Sequence, residues 1–504
     1  MMNRQKHISL VIFLLLMAGS QAYAQVVIGP ESSLTVSNGG SLFIGTDLLI
    51  RSDNASSGHF CNQNPAGGYT VTGDVTVERY LTADGWHNVS APVQGSHSTV
   101  FTANGLVFYY DETIILNDWE FGWVLHDGVL SVMSGYDVYV PDSPVMAQYV
   151  SAVPDDLNDG SYSVAVTRTD VPNGEIESRK GWNLIGNPYP SPLDWLEESG
   201  WNKNDINDAK YIWNPAAENY TIFLGGANPV GLNGGTRFIP ANQGFWVQAV
   251  QNGSVQVNNR ARCGIMENTP NYYKSGEDYP VVLLEANADG FSDQTIVRFL
   301  AEATEDFDRG LDAYKPGGRH GRVPQIGTRA GNSLLAVNSL PEITDGLKVD
   351  VDFRCGKSGY YQLLASDKSR LDAAGQVYLE DRIENRFIYF DKGTAYHFYH
   401  DCWNDPERFC LHFNPGADPS LFNDPAGAFS IYFAHGRICL KKNLNMEIAG
   451  RVLLYNINGQ RLAEWPLQNA EFQSYAVELT SGLYVVTVKT EQHEMSEKIS
   501  IINQ

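Results

Sequence analysis

Charge is scarce in this chain of 504 residues, and positive charge most of all. Only 18% of residues are charged, and 35 Lys and Arg stand against 58 Asp and Glu, a net charge of −23. The shortage of cations argues against nucleic acid, because neutralising phosphates needs a basic face. The same balance would be repelled by an anionic lipid surface. Methionine is sparse at 8, whereas 47 Gly and 26 Tyr are plentiful, which favours turn-rich β structure over helical bundles. The hydrophobic share of 43% is that of a folded chain. Past the N-terminus no stretch approaches the apolar length of a membrane span, about 20 residues. No β-α-β rhythm is present, which disfavours a dinucleotide fold.

The N-terminus reads as an export signal. Arg4 and Lys6 form a positive region, Ile8 to Ala18 an apolar one, and Ala22-Tyr23-Ala24 a small-residue cleavage site. Residues 1–24 are therefore expected to leave, and no Cys follows to carry a lipid. The remaining chain holds 33 basic and 58 acidic residues, a net charge of −25. Its six cysteines, Cys61, Cys263, Cys355, Cys402, Cys410 and Cys439, are compatible with disulfides in an exported protein. Cys402 and Cys410 are near enough in sequence to bridge a loop. The alternative is six small buried hydrophobes.

Strand-like runs broken by Gly, Asn and Ser recur from the start. Residues 25–72 alternate short strands and turns about every ten residues, the spacing of a β-solenoid stub or a few meander strands. Residues 73–257 hold an internal duplication. Gly85-Trp86-His87-Asn88 matches Gly181-Trp182-Asn183-Leu184, Phe108-Tyr109-Tyr110-Asp111 matches Tyr211-Ile212-Trp213-Asn214, and the Ser134–Val140 block matches Gln243–Ala249. The two copies span about 73–150 and 160–257 and hold eight of the ten Trp. Rings on short strands ordinarily build a core between sheets. The sharper expectation is an exposed platform of Trp182, Trp213 and Trp246 stacking on sugar rings. Residues 270–425 read as a β-sandwich, and Leu347–Phe353 alternates strictly, so one face is expected to be wet. Residues 428–504 form a further small sandwich. The fold class is thus all-β, with sandwich-like modules in tandem and an Ig-like module at the end.

Local catalytic signatures are missing. There is no G-x-S-x-G, H-E-x-x-H, P-loop or C-x-x-C motif, so no catalytic residue is assigned. His397-Phe398-Tyr399-His400-Asp401-Cys402 is the densest set of metal-binding side chains, but on a strand 397 and 400 point to opposite faces. Two oxygen-rich loops suit calcium, with Asp156, Asn158 and Asp159 in one and Asp205 and Asp208 in the other. The full twelve-residue EF-hand spacing is absent from both.

The chain end carries the most specific pattern. Gly450-Arg451-Val452-Leu453-Leu454-Tyr455-Asn456-Ile457-Asn458-Gly459-Gln460 is followed by Gly482-Leu483-Tyr484-Val485-Val486-Thr487-Val488 and by Glu497-Lys498-Ile499-Ser500-Ile501. In order and position this set resembles the C-terminal sorting domain of type IX secretion substrates of Bacteroidetes. Gly459, Gly482, Tyr484 and Lys498 are the matching positions. The resemblance implies recognition by the outer-membrane type IX translocon and export to the cell surface. It also implies removal of the domain and coupling to surface lipopolysaccharide or release. The Gly181–Pro192 and Gly244–Val247 segments are similar to repeated cargo segments of uncharacterised surface proteins of the same bacteria. The expectation is an exported structural or adhesive protein, with a glycan-binding surface protein or a motif-less secreted hydrolase as rivals.

Overall fold

The computed structural model describes residues 25–65, 67–101, 106–114, 122–151, 157–170, 177–264, 279–318, 321–366, 375–390, 393–414, 429–434, 436–442, 449–470, 472–490 and 494–501. The export segment 1–24, Trp119 and the calcium candidate Asp156 lie outside them. Among the described residues the only helical pieces are three-residue 3-10 turns, and the chain is all-β.

The first strands stack in parallel. Gln25–Ile28 lies on Asp47–Ile50, Ser33–Val36 on His59–Asn62, and Leu42–Ile44 on Tyr69–Val71. The third coil opens with Val75–Leu81, parallel to Asp47–Ile50. Ile28, Ile50 and Val77 therefore stand in one inward ladder. This is the solenoid arrangement of the two that the ten-residue spacing allows. It does not stop at residue 72. Val75–Leu81 carries Val145–Val150 on its other edge, and one apolar core runs from the solenoid into the first Trp-rich copy.

The matched sequence blocks occupy equivalent strands. In the first copy the sheet order is Trp123–Leu125, Leu106–Tyr110, Tyr136–Val140, Gly85–Val89. In the second it is Val230–Leu232, Asn219–Leu224, Ala209–Asn214, Gly244–Gln248, Trp182–Gly186. Register agrees as well. Trp86 faces Tyr139 as Trp182 faces Gln248, and Phe108 faces Asp137 as Tyr211 faces Trp246. The copies meet about a pseudo-two-fold axis. Ser134 bridges Ile185, and its counterpart Gln243 bridges Val89, the counterpart of Ile185. Gly186 N–H donates to the Met133 carbonyl, and Ser90 N–H donates to the equivalent Asn242 carbonyl. Met133 and Asn242 both have positive φ, 62° and 57°, and each offers its carbonyl outward from that bend. Such reciprocal contacts are those of a symmetric dimer interface.

Residues 281–413 form one eleven-stranded sheet that folds over a single core. Strands far apart in the order share that core, as Leu379 and Leu411 do with Leu363 and Phe398. The Arg408–Asp381 ion pair is buried within it at 2.6 Å, and Tyr396 Oη donates to the same Asp381 at 2.9 Å. On Lys348–Arg354, Lys348 and Arg354 are exposed but Asp352 is buried. The expected wet face is thus partly closed, because Arg329 and Arg354 both reach the Asp352 carboxylate.

The terminal module packs a three-stranded sheet on a four-stranded one. Arg461–Leu467 is a strand that the sequence pattern misses because of Pro466. It lies at the sheet edge, where a residue without an N–H is tolerated. Arg386 ties this module to the sandwich through Glu497 at 2.6 Å.

Candidate functional site: an aromatic, cation-lined cleft

Trp123, Trp182, Trp213 and Trp246 belong to a core shared by the two copies and the sandwich, and Trp195 and Trp201 to a separate one within the second copy. Trp213 and Trp246 are only 3% and 4% exposed. Trp246 packs edge-on against Tyr110 and Trp123 at 4.8 and 5.5 Å, and Trp213 Nε1 donates to the Trp86 carbonyl at 3.0 Å. Burial of rings this size contributes about 1.5–3 kcal/mol each. The flat platform of Trp182, Trp213 and Trp246 is therefore corrected. Register puts all three rings on one face of the second-copy sheet, and the sandwich covers that face.

That covering is incomplete. A cleft of about 700 Å³ separates the second copy from the sandwich. Trp182, Tyr211, Tyr220 and Trp246 line one wall, and Lys315, Gln325, Arg329, Phe353, Arg354 and His400 belong to the other. Four described lining residues are cationic, Arg179, Lys315, Arg329 and Arg354, and none is Asp or Glu. Three of these four cations are paired with carboxylates just behind the lining, Asp293, Asp352 and Glu407. Lys315 is neutralised by Asp293 at 2.6 Å, and burial holds its pKa below the ordinary lysine value. Arg329 and Arg354, by contrast, share one carboxylate, that of Asp352, at 2.6 and 3.0 Å. Arg329 also approaches Glu407 at 3.2 Å.

Buried polar atoms in the lining residues have no protein partner. They are Trp246 Nε1, Gln325 Oε1 and His400 Nδ1. His400 Nε2 contacts the Cys355 carbonyl at 3.1 Å, which makes Nε2 the protonated nitrogen and leaves Nδ1 an acceptor. The Cys355 thiol is engaged elsewhere, donating to the Gly321 carbonyl at 3.2 Å and accepting from Tyr361 Oη at 3.0 Å. Cysteine and histidine therefore do not pair as nucleophile and base. Cys402 and Asn404 also line the cleft, and Trp403 between them is 91% exposed.

Of the other sequence-derived sites, His400 and Cys402 line the cleft and the rest fall elsewhere. His397 is exposed and His400 buried on Ala395–His400, the opposite-face placement expected of a strand. The calcium expectation is weakened at Asp159 and Asp205, because protein cations and amides already use their carboxylate oxygens. Arg262 NH1 holds Asp159 Oδ1 at 2.6 Å while its NH2 donates to the Phe60 carbonyl. Asn158 turns its amide to the Ala91 and Pro188 carbonyls. Asp205 accepts from Ser254 N–H and Gln251. Beside Asp208, Arg309 donates to the carbonyls of Lys203, Asn204 and Ile206, where a calcium ion would have to sit. The disulfide expectation is corrected too, since all six cysteines are free thiols.

Gly459, Gly482, Tyr484 and Lys498 gather at one end of the four-stranded terminal sheet. Gly459 closes the Asn456–Gln460 turn with φ +77°, a conformation that disfavours any residue with a Cβ. Tyr484 pairs with Asn456 and Ile499 and donates to the Thr480 carbonyl at 2.9 Å. Gly482 opens the same strand, and Lys498 is exposed opposite Val485.

Sequence reasoning missed the cleft because its two walls lie more than 60 residues apart along the chain. It also missed Glu380, Cys410 and His412, whose donor atoms lie within 4.8 Å of one another. The available signal was Cys410-Leu411-His412, since two residues along a strand return to the same face.

Fold and site together define an all-β, multi-module protein with a ligand-sized cleft between modules. The chain belongs to the family described as Domain of unknown function (DUF8693), whose model matches residues 16–413. No curated protein matches it. No helix among the described residues is long and apolar enough to cross a membrane.

Proposed function

We propose that this chain is an exported cell-surface binding protein whose inter-module cleft holds an acidic saccharide. The observation that carries the reading is a cleft of about 700 Å³ with aromatic rings on one wall, cations on the other, and no carboxylate among its described lining residues. Its size suits a small ligand. Trp182, the half-buried ring of that wall, offers a face to a sugar ring. Arg329 and Arg354, held by Asp352 and Glu407, can turn guanidinium donors to a uronate or sulfate group. Trp246 Nε1, Gln325 Oε1 and His400 Nδ1 supply one donor and two acceptors for hydroxyls. Glycoside hydrolysis commonly needs two carboxylates flanking the bond, which this lining does not supply, so binding fits better than hydrolysis. Within this reading the terminal module addresses the chain to the type IX translocon, with lipopolysaccharide coupling or release to follow.

A glycan array probed with the protein tests the cleft. Acidic saccharides should bind and neutral ones should not, and Arg329→Ala should weaken binding about tenfold. Binding confined to neutral glycans, or indifferent to Arg329→Ala and Trp182→Ala, would remove the proposal. Deleting 428–504 tests the address, and the cargo should then stay in the periplasm. Surface display that survives the deletion would end that part of the reading.

A further inference from the structure

We infer that Glu380, Cys410 and His412, none of which lines the cleft, form a binding site for a divalent zinc-like cation on the outer face of the sandwich. The placement follows from register. Glu380 and Asp350 flank Cys410 directly across Val377–Asp381 and Lys348–Arg354, and His412 lies two residues on from Cys410 along Phe409–Phe413. The intervening Leu411 faces the apolar core, so Cys410 and His412 share the opposite face.

The donor set fits the ion. Thiolate, imidazole and carboxylate are the ligands that zinc takes, at about 2.0–2.3 Å, which sets tetrahedral donors about 3.3–3.8 Å apart. His412 Nε2 and Glu380 Oε2 are 2.8 Å apart, and all three donors lie within 4.8 Å of one another. Small side-chain rotations therefore admit the ion and leave one position for water. Thiolate and carboxylate together carry two negative charges, matching a divalent cation. Of the neighbouring cations, Arg382 donates to Asp350 at 2.5 Å and lies 3.8 Å from Glu380, and Lys348, opposite His412 in register, is exposed to solvent. Cys410 and His412 are buried, whereas the Glu380 side chain is 24% exposed and gives the ion a route in.

Without an ion, the thiol is held protonated. Burial and the Asp350 carboxylate push its pKa up to about 12. Coordination reverses this preference, because a metal deprotonates its thiol ligand and the proton leaves to solvent. Phe387 stacks edge-on to the His412 ring at 5.2 Å and helps fix its orientation.

Equilibrium dialysis of the full chain against Zn²⁺, with elemental analysis, should find one ion per chain. Co²⁺ in its place should give a thiolate-to-cobalt absorption band. Cys410→Ser and Glu380→Gln should each weaken uptake by about 100-fold or more and abolish or shift that band. Cys263→Ser should leave both unchanged. Glu380 is the most exposed of the three ligands, so Glu380→Gln decides the matter if Cys410→Ser does not fold. No zinc taken up by the native chain, or uptake and band indifferent to Glu380→Gln, would overturn the site.

Discussion

The two Trp-rich copies share strand order, register and a reciprocal interface, yet they are built for different neighbours. The first leans on the solenoid, with Tyr136 and Val138 in that core. The second leans on the sandwich, where Leu184, Tyr211 and Trp246 pack with Val281, Leu283 and Ile296. The divergence is sharpest at one equivalent pair. Where the second copy sets Leu184 opposite Trp246, the first sets Asn88 opposite Asp137, and the Asn88 amide donates to Asp137 at 2.8 Å. A repeated backbone thus settles which positions face which side. What covers each side then decides whether an apolar ring or a polar pair stands there. Among the described residues, only the second of the two copies lines the cleft.

Trp246→Ala should break the comparison most severely. It removes a 4%-exposed indole from the junction of both copies and the sandwich, and should cost about 3–5 kcal/mol in denaturant unfolding. A loss below about 1 kcal/mol would mean that this junction does not hold the second copy in place.

Acid should separate the regions. Burial lowers the pKa of His59 and of His87 to about 4, and both sit on the solenoid and first-copy side. The unfolded chain binds these protons near pH 6.5 and the folded chain only near 4. Stability there should fall as pH drops through that window, by about 1.4 kcal/mol per pH unit for each histidine. In the sandwich, burial raises Asp312 from 3.8 to about 6. Its folded form binds the proton first, so its contribution is present at acid pH and is lost as pH rises through that range. Desolvation also lowers the pKa of His397 and of His400 in the sandwich, so acid weakens both regions, but Asp312 opposes the loss there. Hydrogen exchange between pH 6.5 and 4 should therefore show the first copy opening first. The reverse order would refute this assignment.

The pseudo-two-fold axis predicts matched penalties. A Cβ at Gly135 would lie 2.6 Å from the Ile185 carbonyl oxygen, and one at the equivalent Gly244 would lie 2.9 Å from Val89 N and O. Gly135→Ala and Gly244→Ala should each destabilise by about 1–3 kcal/mol, with Gly135 the worse. If only one of them mattered, the interface would not be reciprocal. The smallest expected effect is Trp246→Phe, below about 1.5 kcal/mol, because the ring stays and the lost N–H has no protein partner. On the proposed function it should nonetheless weaken glycan binding.

Much of the architecture was legible because it is written locally. Alternation and turn residues announce strands such as Val281–Ala288 and Gly482–Thr490, and three matched blocks align the copies down to paired residues. The parallel stacking of the solenoid was only half legible, since ten-residue spacing also suits a meander. The cleft was not legible. Its aromatic wall reads as core in the sequence, and its cationic wall comes from residues whose charges are unremarkable until the fold gathers them. The Glu380–Cys410–His412 cluster was hidden by the 29 residues between Glu380 and Cys410, a gap that the pairing of Val377–Asp381 with Phe409–Phe413 closes. The oxygen-rich loops present the opposite case. Their composition suits calcium, but Arg262 and Arg309 arrive from distant sequence and take those oxygens.

The reciprocal bridges Ser134–Ile185 and Val89–Gln243 join what amount to two subunits on one polypeptide. A homodimer with this interface would fall apart on dilution, because its association depends on protomer concentration. Here the linking chain keeps the effective concentration of each half high for the other. The assembly therefore holds at any dilution. Fusion also frees the halves from identity, so one can adapt a wall for a ligand without imposing it on the other, and the protein should bind one ligand per chain rather than two.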